Sequence, residues 1–219
     1  MDDFIRYTFK NTVEFHQQAM SRFRPCKPQG EMAEANLTFS FIHSALRTCP
    51  QAGWGLEVPF TDGDKSNSPW NKHIDGYLFV DNTLYLIEVK RDYPVSDFSD
   101  YVCKDLKRLS SPHLADAFVR MLDRPVYSQP LGQIKAVKAV LLADTWRAEN
   151  VRYWASAELK GEKQRWLSEL HRDVQAMPFT AGNSAAPYSL LIAQSDNLDS
   201  FLARMHARQS GSSEEECLV

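Results

Sequence analysis

The sequence predicts an α/β protein: a mixed β-sheet flanked by helices. Three observations carry this. Two runs rich in β-branched and aromatic residues, 73–80 and 83–91, are separated by only Asp81 and Asn82, the spacing of a tight hairpin. Amphipathic helical segments lie on either side of them. The continuous apolar run IKAVKAVLLAD at 134–144 suits a strand covered on both faces. An antiparallel meander followed by crossover helices is an α/β sandwich.

Each element has its own signal. Phe4, Ile5, Phe9, Val13 and Phe15 fall at mostly helical spacing within residues 1–24, and Pro25 and Pro28 end that helix. A second helix is expected from Gly30 to Arg47, with Ala35, Phe39, Ile42 and Leu46 on one face, closed by Pro50 and Gly53. WGLEVPF (54–60) reads as a short strand stopped by Pro59, and 61–72 as a polar loop. The Asp81-Asn82 link suits a type I′ turn, because both residues tolerate φ > 0. In the 97–109 helix Val102, Leu106 and Leu109 share one side, and HLADAFVRMLD continues as a helix after Pro112. Residues 151–176 read as a helix with a charged centre, 187–196 as a buried strand and 197–208 as a last helix. The expected organisation is one domain over 1–208, with its core at about 30–145 and a disordered tail at 209–219.

Composition narrows the function. The chain has 219 residues, 43% hydrophobic and 24% charged, ordinary for a globule that needs no metal or disulfide staple. Its 25 Lys+Arg against 28 Asp+Glu leave a net charge of -3, so any polyanion site must be a local basic patch. Four cysteines, at 26, 49, 103 and 217, form no CxxC pair or zinc-finger spacing and read as reduced thiols of a cytoplasmic protein. MDDFIRYTFK lacks the apolar stretch of a secretory signal, and no apolar run is long enough to span a bilayer, so no membrane partner is expected.

The chemistry concentrates in the hairpin. With Asp81 and Asn82 as the turn, Val80 faces Thr83, and Asp75 falls opposite Glu88. Lys90 lies two residues beyond Glu88 and shares its face, with His73 across from it. Facing carboxylates destabilise a hairpin; at about 5 Å and an effective dielectric near 20 the repulsion is roughly 3 kcal/mol. A divalent cation would offset that cost, and paired carboxylates with open water positions suit Mg²⁺. Lys90 can orient a water or meet a phosphate oxygen. The competing reading makes Asp75 a strand-end residue and Glu88–Lys90 a partly exposed charge pair. A one-residue register slip would also dismantle the face.

The string IDGYLFVDNTLYLIEVK resembles motifs II and III of the PD-(D/E)XK nuclease superfamily, an Asp heading one strand and Glu-X-Lys on the next. Ile74 stands where the family's name has Pro. EANLTFSFIHSAL resembles the family's leading acidic helix, and the order α-β-β-β-α-β over about residues 30–145 resembles its core. The resemblance implies a restriction-endonuclease-like αβββαβ core with extra C-terminal helices and a strand. It implies a nuclease dependent on Mg²⁺ or Mn²⁺, acting on nucleic acid, DNA in the first instance. Asp75, Glu88 and the Val89 carbonyl would hold the metal, and Lys90 would position the attacking water. Glu34 matches the helix acid, with Glu31 one turn earlier as the alternative. Lys104, Lys107 and Arg108 on the polar face of the 97–109 helix would meet the nucleic-acid backbone, or form an ordinary solvated face. Glu57, His73 and Trp70 are weaker candidates for the metal surroundings or for stacking. An RNase and a non-catalytic or partner-dependent nuclease-fold subunit are the alternatives. The acidic balance argues for a partner subunit that supplies DNA binding, and the resemblance also allows a homodimer.

Overall fold

A computed structural model describes residues 1–22, 34–60, 72–91, 94–122, 133–156, 169–180 and 187–215. In chain order these form α1 (Asp3–Arg22), α2 (Glu34–Thr48), β1 (Gly53–Phe60), β2 (Lys72–Val80), β3 (Thr83–Lys90), α3 (Val95–Leu109), α4 (Pro112–Leu122), β4 (Ala136–Thr145), α5 (Ala148–Ala155), β5 (His171–Thr180), β6 (Pro187–Gln194) and α6 (Asp199–Glu215). The strands make one six-stranded sheet in the order β1-β2-β3-β4-β6-β5. β3 and β4 are parallel and every other neighbouring pair is antiparallel. A parallel pair needs a long crossover, and α3 and α4 supply it.

The β2–β3 turn is as the sequence predicts. Asp81 and Asn82 both have positive φ, 46° and 66°, as a type I′ turn requires. The ladder runs Val80↔Thr83 to Gly76↔Ile87, the register expected. The Asn82 carbonyl then accepts the Lys135 amide at 2.8 Å, so the same turn also starts the alignment of β4.

β3 and β4 divide their side chains between two cores with period two. Leu84, Leu86, Val137, Ala139, Leu141 and Ala143 join α3, α4, α5 and α6. Tyr85, Ile87, Val89, Val140 and Leu142 join α1 and α2. Helices therefore cover both faces, and these central strands are buried along most of their length, as the apolar run at 134–144 predicts.

Four expectations need correction. Pro59 does not stop β1: it pairs with His73 inside the strand, which β1 tolerates because it lies at the sheet edge. The buried face of α2 is Leu37, Thr38, Phe41, Ile42 and Ala45, whereas Phe39 is 53% exposed. Ser40 and Ser44 sit in the buried seam because their hydroxyls bond back to Asn36 O and Ser40 O at 2.7 and 2.8 Å, hiding polarity that otherwise argues for an outer face. The segment read as one helix over 151–176 splits into α5 and the edge strand β5. The final helix runs to Glu215, into the segment expected to be a disordered tail. The 61–71 part of the predicted loop, with Trp70, and Glu31 lie outside the described residues, as do Cys26 and Cys217; Cys49 and Cys103 are free thiols. No helix among the described residues is long and apolar enough to cross a membrane.

Gly76 is where α2 meets the sheet. A Cβ there would lie 3.0 Å from Gly55 O and 3.2 Å from both Ile42 Cδ1 and Thr38 Cγ2. Gly76→Ala should therefore cost about 1–3 kcal/mol through overpacking, read as a lower urea midpoint with an unchanged m-value.

His16 of α1 is fully buried, and neither ring nitrogen has a hydrogen-bond partner among the described residues. Burial pulls its pKa down to about 4. Between that value and the ordinary histidine range the unfolded chain binds the extra proton, so stability rises with pH and is lost as pH falls from about 6.5 toward 4. In wild type this loss should approach about 3 kcal/mol. His16→Leu should flatten the curve over that window, checked by urea unfolding in a pH series.

Candidate functional site

The C-terminal end of β3 is where charge gathers. By strand alternation Glu88 and Lys90 share the face of Leu84 and Leu86, toward α3. Here the hairpin ladder ends. One step past Gly76↔Ile87, Asp75 turns its carboxylate to the neighbouring strand, and Oδ2 accepts the Val89 amide at 2.7 Å. Across β1 the corresponding step is also irregular. Glu57 has φ 49° and lies between the pairs Leu56↔Gly76 and Val58↔Ile74. A non-glycine residue at positive φ within a strand is uncommon and costs energy. Its effect is visible in the packing: Leu78 belongs to the α1–α2 core, yet Ile74 and Val58 belong to the opposite one. The sheet therefore breaks its alternation at Asp75.

α3 closes over these strands and brings two further charges. Arg108 Nε donates to Glu88 Oε1 at 2.9 Å, and its Nη2 lies 2.5 Å from Oε2. The same Nη2 is 2.8 Å from Asp105 Oδ1, while Lys90 Nζ is 2.8 Å from Asp105 Oδ2. Asp105 thus bridges both cations. The N-terminus of α2 reaches the same region, where Glu34 Oε1 lies 4.0 Å from Arg91 Nε.

Of the expected residues, Glu34, Asp75, Glu88 and Lys90 interact electrostatically in one region. Glu88 is 1% exposed, so the reading of Glu88–Lys90 as a partly exposed pair fails. Both side chains are paired to α3 instead. Val89 stands between them, paired with Leu142 of β4. Lys104 and Lys107 are exposed, with Lys104 Nζ 5.5 Å above the Tyr101 ring, but Arg108 departs from them and turns inward to Glu88. His73 is exposed and faces Pro59 of β1. Asp105 is the residue that the sequence reading missed. Its signal is positional: Phe98, Val102, Asp105 and Leu109 repeat at i, i+4, i+7 and i+11, so an acid occupies a core position of an amphipathic helix.

The electrostatics show a shortage of positive charge. Burial raises the pKa of Glu88 to about 9, with Asp75 and Asp105 adding to the effect and Arg108 opposing it. Burial also raises Asp105 despite Lys90 and Arg108, and raises Glu34, where Lys90 opposes and Asp75 adds. For Lys90, burial disfavours the ammonium, but Asp105 and Glu88 outweigh it and its pKa rises. Lys90 is therefore charged at neutral pH. It can donate hydrogen bonds and stabilise negative charge, but it cannot take up a proton.

A divalent cation fits this region in donor type. The donors are hard carboxylate oxygens, and three acids remain raised although Lys90, Arg91 and Arg108 are close. Among the described residues no three His, Cys, Asp or Glu side chains form a ready cage. An ion would keep most of its waters, as Mg²⁺ does, and would contend with Arg108 for Glu88. Comparison of the chain with protein-family models, with curated proteins and with solved structures finds no match in any of the three.

Asp105→Ala should strip Lys90 of its close counter-ion and leave Arg108 with Glu88 alone. The expected loss is about 3 kcal/mol or more, whereas Asp3→Ala, which removes an exposed pair with Arg6, should stay within about 0.5 kcal/mol. Paired chemical-denaturation curves check the contrast.

Proposed function

We propose that the chain is a metal-dependent nuclease with a PD-(D/E)XK-type site on a restriction-endonuclease-like core, acting on DNA. The observation that carries this reading is the meeting of Glu34, Asp75, Glu88 and Lys90 at the end of β3 with a deficit of positive charge. The order α2-β1-β2-β3-α3-α4-β4 supports it, since the motif resemblance implies an αβββαβ core, to which α4 adds a second crossover helix.

In this reading Asp75, Glu88 and the Val89 carbonyl would hold Mg²⁺ or Mn²⁺, which would supply a water of lowered pKa and positive charge beside the phosphate. Lys90, kept protonated and aimed by Asp105, orients the attacking water and stabilises negative charge as it develops. Glu34, at the head of α2, holds a proton more readily than an ordinary carboxyl and accepts or donates at the edge of the site. Lys104 and Lys107 run along the exposed face of α3 and hold the backbone of the substrate. One observation favours a second reading, a non-catalytic nuclease-fold subunit: Arg108 grips the carboxylate that an ion would need.

Plasmid and single-strand cleavage in Mg²⁺ or Mn²⁺, with and without chelator, tests the proposal. Wild type should cut only with metal. Lys90→Ala should bind metal yet lose about 10²-fold or more in cleavage. Asp75→Asn should lose the metal-induced stabilisation, about 1–3 kcal/mol at saturating ion. Wild type that binds nucleic acid but cuts neither form would establish the subunit reading instead.

A further inference from the structure

Arg108 sits where its position has a cost. A guanidinium that only anchored α3 could face Asp105 alone, one turn away on the same helix. Instead it reaches past Asp105 and forks onto Glu88, contacting both carboxylate oxygens. Lys90 Nζ makes its close contact with Asp105 Oδ2, and a point-like ammonium has no planar fork to span both oxygens of Glu88. Glu88 is 1% exposed, whereas 27% of the Arg108 side chain reaches solvent. The counter-ion of the buried acid therefore comes from the outer edge of the site, with a way out.

We infer that Arg108 is a displaceable counter-ion: it holds Glu88 until a divalent cation takes that carboxylate, and the guanidinium, retained on Asp105, then pairs with a phosphate of the substrate. The inference rests on the nuclease reading of the same site. Charge counting supports it. Glu34, Asp75, Glu88 and Asp105 against Lys90, Arg91 and Arg108 leave one excess negative charge when all are ionised, the state that an ion on Glu88 requires. A dication turns that into one excess positive charge, which a single phosphodiester neutralises. Geometry supports it as well. Nη2 touches Glu88 Oε2 and Asp105 Oδ1 at once, so loss of Glu88 leaves the side chain tethered by Asp105 with donors freed. A planar fork of N–H groups matches phosphate oxygens two at a time. Lys104 and Lys107 lie exposed on the same helix, so a backbone held by them passes within reach of Arg108. Metal and substrate binding are then coupled through one side chain.

Two measurements on the full chain test this, neither of which depends on turnover. The first is titration with Mn²⁺ alone, followed by calorimetry. Arg108→Met should bind Mn²⁺ about tenfold more tightly than wild type, since the ion no longer displaces a cation. Arg108→Lys, which grips one oxygen rather than two, should bind several-fold more tightly and covers the case in which the Met variant does not fold. The second is binding of a short mixed-sequence DNA duplex across a salt series, in a Lys90→Ala background that suppresses cleavage. Mg²⁺ should steepen the slope of log K against log salt by about one phosphate contact relative to chelator, and Arg108→Met should lose that increment. Mn²⁺ binding that appears only in an Arg108 variant also supports the inference. Wild type that binds Mn²⁺ no more weakly than the variants overturns it and leaves the nuclease reading standing. Absence of Mn²⁺ binding in wild type and in both variants overturns the metal site itself.

Discussion

The organisation of the molecule follows from one constraint: an interior strand, covered on both faces, ends in Glu-Val-Lys. Buried charges must be paired or neutralised. Glu88 and Lys90 point to the α3 side, so α3 has to arrive with partners already placed. Asp105 and Arg108 meet that need, spaced one helical turn apart, and the apolar residues Phe98, Val102 and Leu109 press the same helix face onto the sheet. The crossover that makes β3 and β4 parallel is also what lays α3 over the end of β3. Topology and charge compensation are thus met by one element.

Sheet irregularity and charge occur together. Between Gly76 and Ile74 the pairing of β2 with β3 stops, Glu57 adopts a left-handed backbone conformation, and the Asp75 carboxylate takes the Val89 amide. A fully regular ladder would leave that carboxylate facing Glu88 with no donor of its own. The amide bond gives Asp75 a fixed orientation, while Arg108 and Asp105 spread the remaining charge over two further side chains. Hydrogen bonding and a guanidinium offset only part of the repulsion expected between the carboxylates, and Asp75 still raises the pKa of Glu88.

How much of this was legible depended on which signal dominated locally. The hairpin could be read because a two-residue turn and strict alternation fix register together, and that register brought Asp75, Glu88 and Lys90 into view. β4 was equally plain, since a run buried on both faces has no competing pattern. β5 was not. HRDVQAM is half-exposed at a sheet edge, so it shows neither an apolar run nor clean alternation, and its charges mimic a solvated helix. The face of α2 was misjudged because Ser40 and Ser44 satisfy themselves within the helix. Asp105 stood in an apolar stripe but was overlooked among its charged neighbours. Arg108 lies at the border between the two faces of α3, and its length allows either direction. Burial of Glu88 decides which, and that is a tertiary fact.

The turn at Asp81-Asn82 has a kinetic consequence. A two-residue hairpin closes on a microsecond scale, whereas pairing β4 beside β3 must wait until the whole crossover has been gathered, with the loop-closure entropy that entails. Because the Asn82 carbonyl receives the Lys135 amide, the quickly formed turn also provides the first anchor for the slow, non-local strand. Residues 75 to 108 form one unbroken stretch of sequence. The charged cluster can therefore assemble around the hairpin and α3 before β5 and β6 complete the far edge. The nascent fold would acquire its polar centre early and its outer sheet late.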